Sequence, residues 1–200
     1  LHPRVRRQRQ MCIRDRFCSS AKERVILSIP YLYSEMNPFS FQHKLGRIIL
    51  SWIQHYNHEK YWKRRAVVTN PQDKTNLLLK LYYLYYIKKT DAYHNCSFGT
   101  NINAGAFFAT SPHLPHGPNG IIVGHDVCIG ENIIIYQQVT ISQGGVVIGH
   151  NVILGAGAKI LPNVCIGNNV KVGANCVVVE DIPDNATVVL PKPRIILKQG

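Results

Sequence analysis

From Val123 to Val179, an aliphatic residue recurs at every sixth position, and this period constrains the fold more than any other feature of the chain. With one extra residue after the fourth member, the recurring positions are Val123, Ile129, Ile135, Ile141, Ile148, Leu154, Ile160, Ile166, Val172 and Val178. A second series four residues later comprises Val127, Ile133, Val139, Val152, Ala158, Val164, Val170 and Cys176. A period of six fits neither an amphipathic helix nor a half-buried strand. It predicts a solenoid of short strands and turns in which both series point inward and stack between coils.

Glycine follows six members of the first series, at positions 124, 130, 149, 155, 167 and 173. Glycine is favoured where the backbone takes positive φ, because a Cβ is penalised there. We therefore expect these glycines to lie at the corners of the solenoid, each with positive φ.

The tract that contains "LPHGPNGIIVGHDVCIG", "YQQVTIS" and "GAGAKIL" resembles the hexapeptide-repeat acyltransferases. Within them it is most similar to the serine acetyltransferase branch and its relatives in capsular and exopolysaccharide synthesis. The resemblance covers about residues 60–200 and implies a mainly β fold, a left-handed parallel β-helix with an N-terminal α-helical domain. It also implies an acetyl-CoA-dependent O-acetyltransferase.

The apolar pattern changes before the repeats and predicts four regions. Residues 1–16 hold six Arg and no apolar pattern, so we expect a non-native or disordered leader, the alternative being a basic arm that binds nucleic acid. Residues 17–95 have helical spacings, and the tyrosines of "LYYLYYIKK" indicate packing against the solenoid or another subunit, or else an acceptor or membrane-surface site. Residues 96–182 form the predicted β-helix, and residues 183–200 a tail.

Net charge, the length of apolar runs and cysteine spacing limit the kinds of ligand, partner and location that we expect for this chain. The formal net charge is +12, and removing the six Arg and one Asp of the leader leaves +7, which suits an anionic ligand such as a nucleotide phosphate. No run of 18 apolar residues occurs, so we expect no membrane span, and with no signal peptide recognised we expect a cytoplasmic protein without a nucleic-acid partner. The six cysteines include no C-x-x-C pair, which favours reduced thiols over a metal site or disulfide framework.

His116 is the candidate catalytic base. Transfer of an acyl group to a hydroxyl requires a group that accepts the hydroxyl proton, and a neutral imidazole suits this near pH 7. His116 follows Leu114, and the resemblance makes it the counterpart of the family's base, with one extra residue before Gly120. His113 is the alternative. His125 and His150 follow corner glycines and should point to solvent.

A carboxylate that orients the base is implied by the resemblance, and Asp91 is the candidate. The family often has a second Asp immediately before the base, where this chain has Pro115. An N-cap or turn Asp at the junction of the helix with the solenoid is the other interpretation of Asp91.

The acceptor stays open between a sugar hydroxyl and L-serine. Serine acetyltransferases usually carry an Arg-His-Pro loop that contacts the amino acid's carboxylate, whereas "VTISQGG" here continues directly into "VVIGHN". An Arg would clamp a carboxylate with two hydrogen bonds, and a sugar needs no such clamp. We therefore predict a sugar or polysaccharide precursor slightly ahead of serine.

The resemblance also implies an acetyl-CoA groove along small residues and a basic tail. The groove residues are Gly144, Gly145, Ala156, Gly157 and Ala174, and the tail residues that would meet the CoA phosphates are Lys192 and Arg194. Corner glycines without a ligand, and solvated tail charges, are the structural alternatives.

The family's assembly implies a homotrimer, or two trimers joined through the helical region, with each active site between neighbouring subunits. A non-catalytic β-helix scaffold would retain the repeats but would not need His116. A zinc site of the β-helix carbonic anhydrase kind would need several histidines in a geometry that the chain does not repeat, so we expect no metal.

Overall fold

A computed structural model describes residues 51–192, and these residues form two helices followed by fifteen short strands. The helices are α1 (His58–Thr69) and α2 (Leu77–Tyr93). The strands are β1 (Ser97–Phe98), β2 (Thr100–Asn101), β3 (Ala104–Gly105), β4 (Phe107–Phe108), β5 (Ile122–Val123), β6 (Cys128–Ile129), β7 (Ile134–Ile135), β8 (Thr140–Ile141), β9 (Val147–Ile148), β10 (Ile153–Leu154), β11 (Lys159–Ile160), β12 (Cys165–Ile166), β13 (Lys171–Val172), β14 (Val177–Val178) and β15 (Thr187–Val188).

The strands coil into a solenoid with three faces, each a parallel sheet. Face 1 contains β1, β5, β8, β11 and β14, face 2 contains β4, β6, β9 and β12, and face 3 contains β7, β10, β13 and β15. On face 1, Ile122 pairs with Thr140, which pairs with Lys159, so one coil takes 18 residues and the next takes 19. This arrangement confirms the predicted mainly β solenoid. The short pair β2–β3 is antiparallel and lies outside the three faces.

Both predicted interior series are buried. Members of the first series expose at most 3% of their surface, and Val127, Ile133 and Val139 of the second expose at most 1%. Each buried aliphatic side chain contributes about 1.5–3 kcal/mol relative to an exposed one, so the stacked columns supply the main stabilisation of the solenoid.

The predicted reason for the repeat glycines is wrong. None of the six has positive φ. They are required because the next coil is too close: a Cβ on Gly124 would lie 2.5 Å from the Cα of Gln143, and one on Gly130 would lie 2.5 Å from the carbonyl oxygen of Gly149. Positive φ falls mainly on asparagine instead, which tolerates it better than other residues with a Cβ.

Four of these asparagines form a ladder at the second corner, between faces 2 and 3. Asn132, Asn151, Asn169 and Asn185 all have φ between 55° and 61°. The side-chain Nδ2 of each of the first three donates to the Oδ1 of the asparagine on the next coil, over 3.2, 3.1 and 2.9 Å. His150 also contributes here, since its Nδ1 accepts from the backbone N–H of Glu131. It is therefore a structural residue and not only a solvated one.

The helices cover the first coil. Tyr61 and Trp62 of α1 pack edge-on against Phe98, and Trp62 also packs against Phe108. Arg65 is buried beside them and donates to the backbone carbonyls of Phe98 and Ala106. Burial lowers the pKa of Arg65 to about 10, so its guanidinium stays charged at neutral pH.

The solenoid extends beyond the predicted boundary at residue 182, because β15 pairs with β13 on face 3. The predicted leader and the first part of the predicted helical region lie outside the described residues. On α2, Leu78, Tyr82 and Tyr85 are exposed, whereas Ile87 is buried. Neither α1 nor α2 is long and apolar enough to cross a bilayer, and no other helix within residues 51–192 is.

Candidate active site

His116 lies in an enlarged loop at the third corner, between faces 3 and 1. His113 forms a parallel bridge to Ile134 on face 3, and Ile122 opens β5 on face 1. This connection advances nine positions, from 113 to 122, whereas the coil below advances six, from 134 to 140. Three additional residues are therefore accommodated outside the regular coil. Gly117 and Gly120, with φ of 69° and 67°, make the turns that such a loop needs.

The His116 side chain is exposed, as a base that must reach a substrate requires. Its ring centroid lies 5.8 Å from that of Tyr136, which follows β7 on the next coil. Its own backbone carbonyl accepts a hydrogen bond from Nδ2 of Asn119 over 3.0 Å. The imidazole thus stands against an aromatic ring on a backbone that is held in place.

His113, the alternative base, has a different environment. It lies near His58 of the helical region, and burial lowers its pKa. His58 is more buried, and burial together with the charge of His113 lowers its pKa to about 4. His113 is therefore more enclosed than the exposed His116.

Asp91 is not brought to His116. It is buried in the last turn of α2, where one carboxylate oxygen accepts a 2.6 Å hydrogen bond from the Tyr61 hydroxyl and a contact from the Cys96 thiol. The other oxygen has no hydrogen-bond partner among the described residues. Burial raises the pKa of Asp91 and also that of the Cys96 thiol. Asp91 is not an N-cap, but it lies at the turn that joins α2 to the solenoid, where its backbone carbonyl accepts from the Cys96 N–H over 2.9 Å.

Three of the predicted groove residues lie at the third corner, below His116. Ala156 and Ala174 occupy equivalent positions on successive coils, after β10 and β13 respectively. Asn175 donates its backbone N–H to the carbonyl of Ala156, and Gly157 donates to that of Gln137. A Cβ at Gly157 would collide with Oδ1 of Asn175. The corner that begins at the His116 loop therefore passes Tyr136 and Gln137 on the next coil and then continues along the small residues Ala156, Gly157 and Ala174.

Gly144 and Gly145 lie at a different corner, the first, between faces 1 and 2. Their backbone N–H groups donate to the carboxylate of Asp126, over 3.0 and 2.8 Å. These amides are therefore not available to a ligand at this tip. Within one chain, the two glycines cannot join the groove of the third corner. Lys192 is exposed after β15, and Arg194 lies outside the described residues.

The comparisons with known proteins agree with this architecture. The family described as bacterial transferase hexapeptide (six repeats) matches residues 145–179. The serine acetyltransferase of Synechococcus elongatus is 38% identical over 109 residues, which cover 51% of this chain and 44% of that protein. That of Helicobacter pylori is 36% identical over 107 residues, which cover 50% of this chain and 62% of that protein.

A solved serine acetyltransferase structure, in complex with CoA, superposes with a TM-score of 0.50 at 28% identity and covers 64% of this chain and 50% of that one. The chain contains hexapeptide repeats and is similar to serine acetyltransferases. It spans about half the length of the curated relatives that it matches.

The matched hexapeptide repeats run from the first corner to β14, so they contain Ala156, Gly157 and Ala174 but not the His116 loop. Within residues 51–192 of this hexapeptide-repeat chain, no three His, Cys, Asp or Glu side chains are grouped as ligands for a metal ion.

Three residues that sequence reasoning did not assign belong to this corner. Asn119 bonds to the His116 backbone, Tyr136 contacts the His116 ring, and Gln137 has a buried side-chain oxygen without a hydrogen-bond partner among the described residues. The extra residue before Gly120 was a visible signal for Asn119. Tyr136 and Gln137 could have been found only by aligning successive coils over the loop.

Proposed function

We propose that this protein is an acetyl-CoA-dependent O-acetyltransferase and that His116 is its general base. The observation that carries the proposal is the position of an exposed imidazole, in an enlarged loop, above a corner lined by Ala156, Gly157 and Ala174. The similarity to serine acetyltransferases, one of them solved with CoA, supports the same activity.

The chemistry requires one proton carrier. A nitrogen of neutral His116 accepts the hydroxyl proton while the hydroxyl oxygen forms a bond to the thioester carbonyl carbon. The carbon–sulfur bond then breaks, the sulfur of CoA takes the proton from the imidazolium, and the products are an O-acetyl ester and CoA. No residue of the chain changes its oxidation state or keeps the acetyl group.

The donor fits the part of the third corner below Tyr136 and Gln137, because the side chains there are small. A pantetheine arm needs close approach to the backbone, and Ala156, Gly157 and Ala174 leave that edge free of bulky groups. The remaining positive charge of the chain, including exposed Lys192, suits the phosphates of CoA.

The complete site needs a second copy of the chain in this proposal. Gly144 and Gly145 are on the first corner, so they can approach the third corner only from a neighbouring subunit. Exposed apolar side chains lie on face 1 and beside the first corner, with Val177 52% and Val179 63% exposed. Burial of such residues between subunits is favourable. We therefore propose a homotrimer.

L-serine and a sugar hydroxyl are the two candidate acceptors. The named relatives support L-serine, and none of those reported above supports a sugar. One structural observation favours a sugar. The connection of β8 to β9 consists only of residues 142–146 and contains no Arg. The backbone amides at its tip, those of Gly144 and Gly145, already donate to Asp126. An amino-acid carboxylate would meet no cation at that tip, and an unpaired charge in a site costs a few kcal/mol, roughly 10²-fold in selectivity.

One experiment tests the activity and the acceptor together. Purified protein and acetyl-CoA are assayed for thiol release with L-serine and with a panel of nucleotide sugars and saccharides. Release that depends on one of these acceptors and on His116 supports the proposal. No release with any acceptor, together with normal folding, would favour a scaffold. Turnover with serine alone would exclude the sugar.

A further inference from the structure

We infer that Asn119 and His94 are positioning residues, which together tie the His116 loop to the end of α2. This inference rests on the proposed function of His116. Among residues 51–192, no carboxylate forms an ion pair or hydrogen bond with the His116 ring, so within this part of the chain the placement of the proposed base depends on other groups.

The loop has few regular backbone pairs, because its three extra residues lie outside the coil. Two internal turns use hydrogen bonds from Gly117 to the carbonyl of Leu114 and from Ile121 to that of Pro118. Such turns define local shape but do not attach the loop to the rest of the molecule.

Asn119 makes three attachments at once. Its side-chain Nδ2 donates to the His116 carbonyl over 3.0 Å, and its own carbonyl accepts from the Gln138 N–H over 3.0 Å. Its Oδ1 lies 2.8 Å from Nδ1 of His94. The backbone that carries the base is therefore joined to the coil below and to the helical region.

His94 is the C-cap of α2 and binds the loop from two sides. Its carbonyl accepts from the Gly120 N–H over 3.0 Å, in addition to the side-chain bond to Asn119. Its ring packs against Tyr56 and Tyr93, with centroids 5.8 and 5.2 Å away. These aromatic contacts restrict rotation of the His94 ring, so Nδ1 is held in position for its hydrogen bond to Asn119.

The two hydrogen bonds of the Asn119 side chain determine the tautomer of His94. Because Nδ2 must donate to a carbonyl, Oδ1 faces His94 and can only accept. Nδ1 of His94 therefore carries the hydrogen. Its Nε2 is buried without a hydrogen-bond partner among the described residues, so a neutral ring with hydrogen on Nδ1 avoids an unpaired buried donor.

The test compares Asn119→Ala, His94→Ala and His94→Asn, with Thr187→Ala as the control, since Thr187 is an exposed residue on face 3, outside both corners of the proposed site. The amide nitrogen of an asparagine at position 94 takes the place of Nδ1 and keeps the donor. Asn119→Ala and His94→Ala should lower kcat by about 10- to 100-fold, because displacement of a catalytic group by about 1 Å has effects of that size. The KM for acetyl-CoA should change by less than about twofold, because the groove is untouched. His94→Asn should recover most of the loss.

Hydrogen–deuterium exchange of residues 114–122 gives a readout that does not depend on activity. Asn119→Ala and His94→Ala should speed exchange in this segment and leave exchange in β9–β13 unchanged. His94→Asn and Thr187→Ala should leave exchange unchanged in both segments. Unchanged exchange and unchanged kcat in Asn119→Ala would overturn the inference, as would a His94→Asn variant no better than His94→Ala. If the wild-type protein transfers acetyl to no acceptor, the proposed function fails, and the exchange data still decide whether the loop is tied to α2.

Discussion

His113 and His116 are three residues apart, yet their surroundings differ. His116 is exposed above the small residues of the third corner, whereas His113 is partly buried against the helical region near His58. The position of His116 after Leu114 was readable from the sequence together with the family resemblance. The separation of Asp91 from His116 could not be predicted, because nothing in the sequence shows that the Asp91 side chain of α2 bonds to Tyr61 of α1.

Replacement of the base should affect turnover and not folding. His116→Ala should lower kcat by about 10²- to 10⁴-fold, the usual contribution of a general base. Its thermal unfolding should match that of the wild type, because the side chain is exposed. Steady-state kinetics and calorimetry measure the two quantities. The assignment would move to His113 if His113→Ala abolished turnover in a folded protein while His116→Ala did not.

His58 should make the protein less stable in mild acid. Its pKa is lowered from 6.5 to about 4 in the folded state, so between these values the unfolded chain binds a proton that the folded chain does not. Stability therefore falls as the pH drops from about 6.5 to about 4, by about 3 kcal/mol in total.

His58→Gln tests this contribution by urea unfolding at pH 7 and pH 5. The variant should lose less stability than the wild type between the two pH values, because it has no imidazole to protonate. An identical loss in both proteins would show that other groups cause the acid sensitivity.

At the scale of elements, the inward columns were predictable and the corners were not. A six-residue aliphatic period reports which side chains stack inside, and the structure buries all of them. The same period could not distinguish a glycine needed for positive φ from one needed for close approach between coils, and the second reason applies. The asparagine ladder was missed because its members recur only once per coil, after 19, 18 and 16 residues.

The ladder should contribute to stability through both its backbone and its side chains. Asn151→Ala removes two side-chain hydrogen bonds and places an alanine at a φ of 55°. We expect a loss of about 3–4 kcal/mol, made up of about 1 kcal/mol for each of the two hydrogen bonds and about 1–2 kcal/mol for the left-handed backbone.

Asn151→Gly separates these contributions by urea unfolding. Glycine accepts the same backbone conformation, so this variant should be about 1 kcal/mol more stable than Asn151→Ala and still less stable than the wild type. Equal stability of Asn151→Gly and the wild type would mean that the ladder hydrogen bonds contribute nothing.

For the whole molecule, the division of the small residues between two corners has a consequence for assembly. The predicted groove residues were recognised one by one from the resemblance, but a linear sequence does not state which corner each occupies. Only the coil register shows that Ala156 and Ala174 share an edge with the His116 loop, and that Gly144 and Gly145 do not.

The proposed trimer should depend on face 1. Val177→Asp places a charge on an apolar position of that face. It should reduce the mass measured by light scattering from that of three chains to that of one, and it should also lower the rate of acetyl transfer. Thr187→Asp, an exposed position on face 3, is the matched control and should leave both unchanged. A wild-type protein that is monomeric at micromolar concentration would contradict both the trimer and a site shared between subunits.

Asp126 fixes the conformation of the β8–β9 connection by binding the backbone amides of Gly144 and Gly145. The buried columns that stabilise the solenoid do not depend on these hydrogen bonds. The stacked aliphatic columns set the coil register, so a longer segment inserted between Gly144 and Gly145 would displace one carboxylate and leave the interior as it is. The β8–β9 connection can therefore be lengthened without changing the core of the solenoid. In the proposed enzyme, an inserted hairpin that carries a cationic side chain should shift acceptor selectivity towards carboxylate-bearing acceptors, with the rest of the solenoid unchanged.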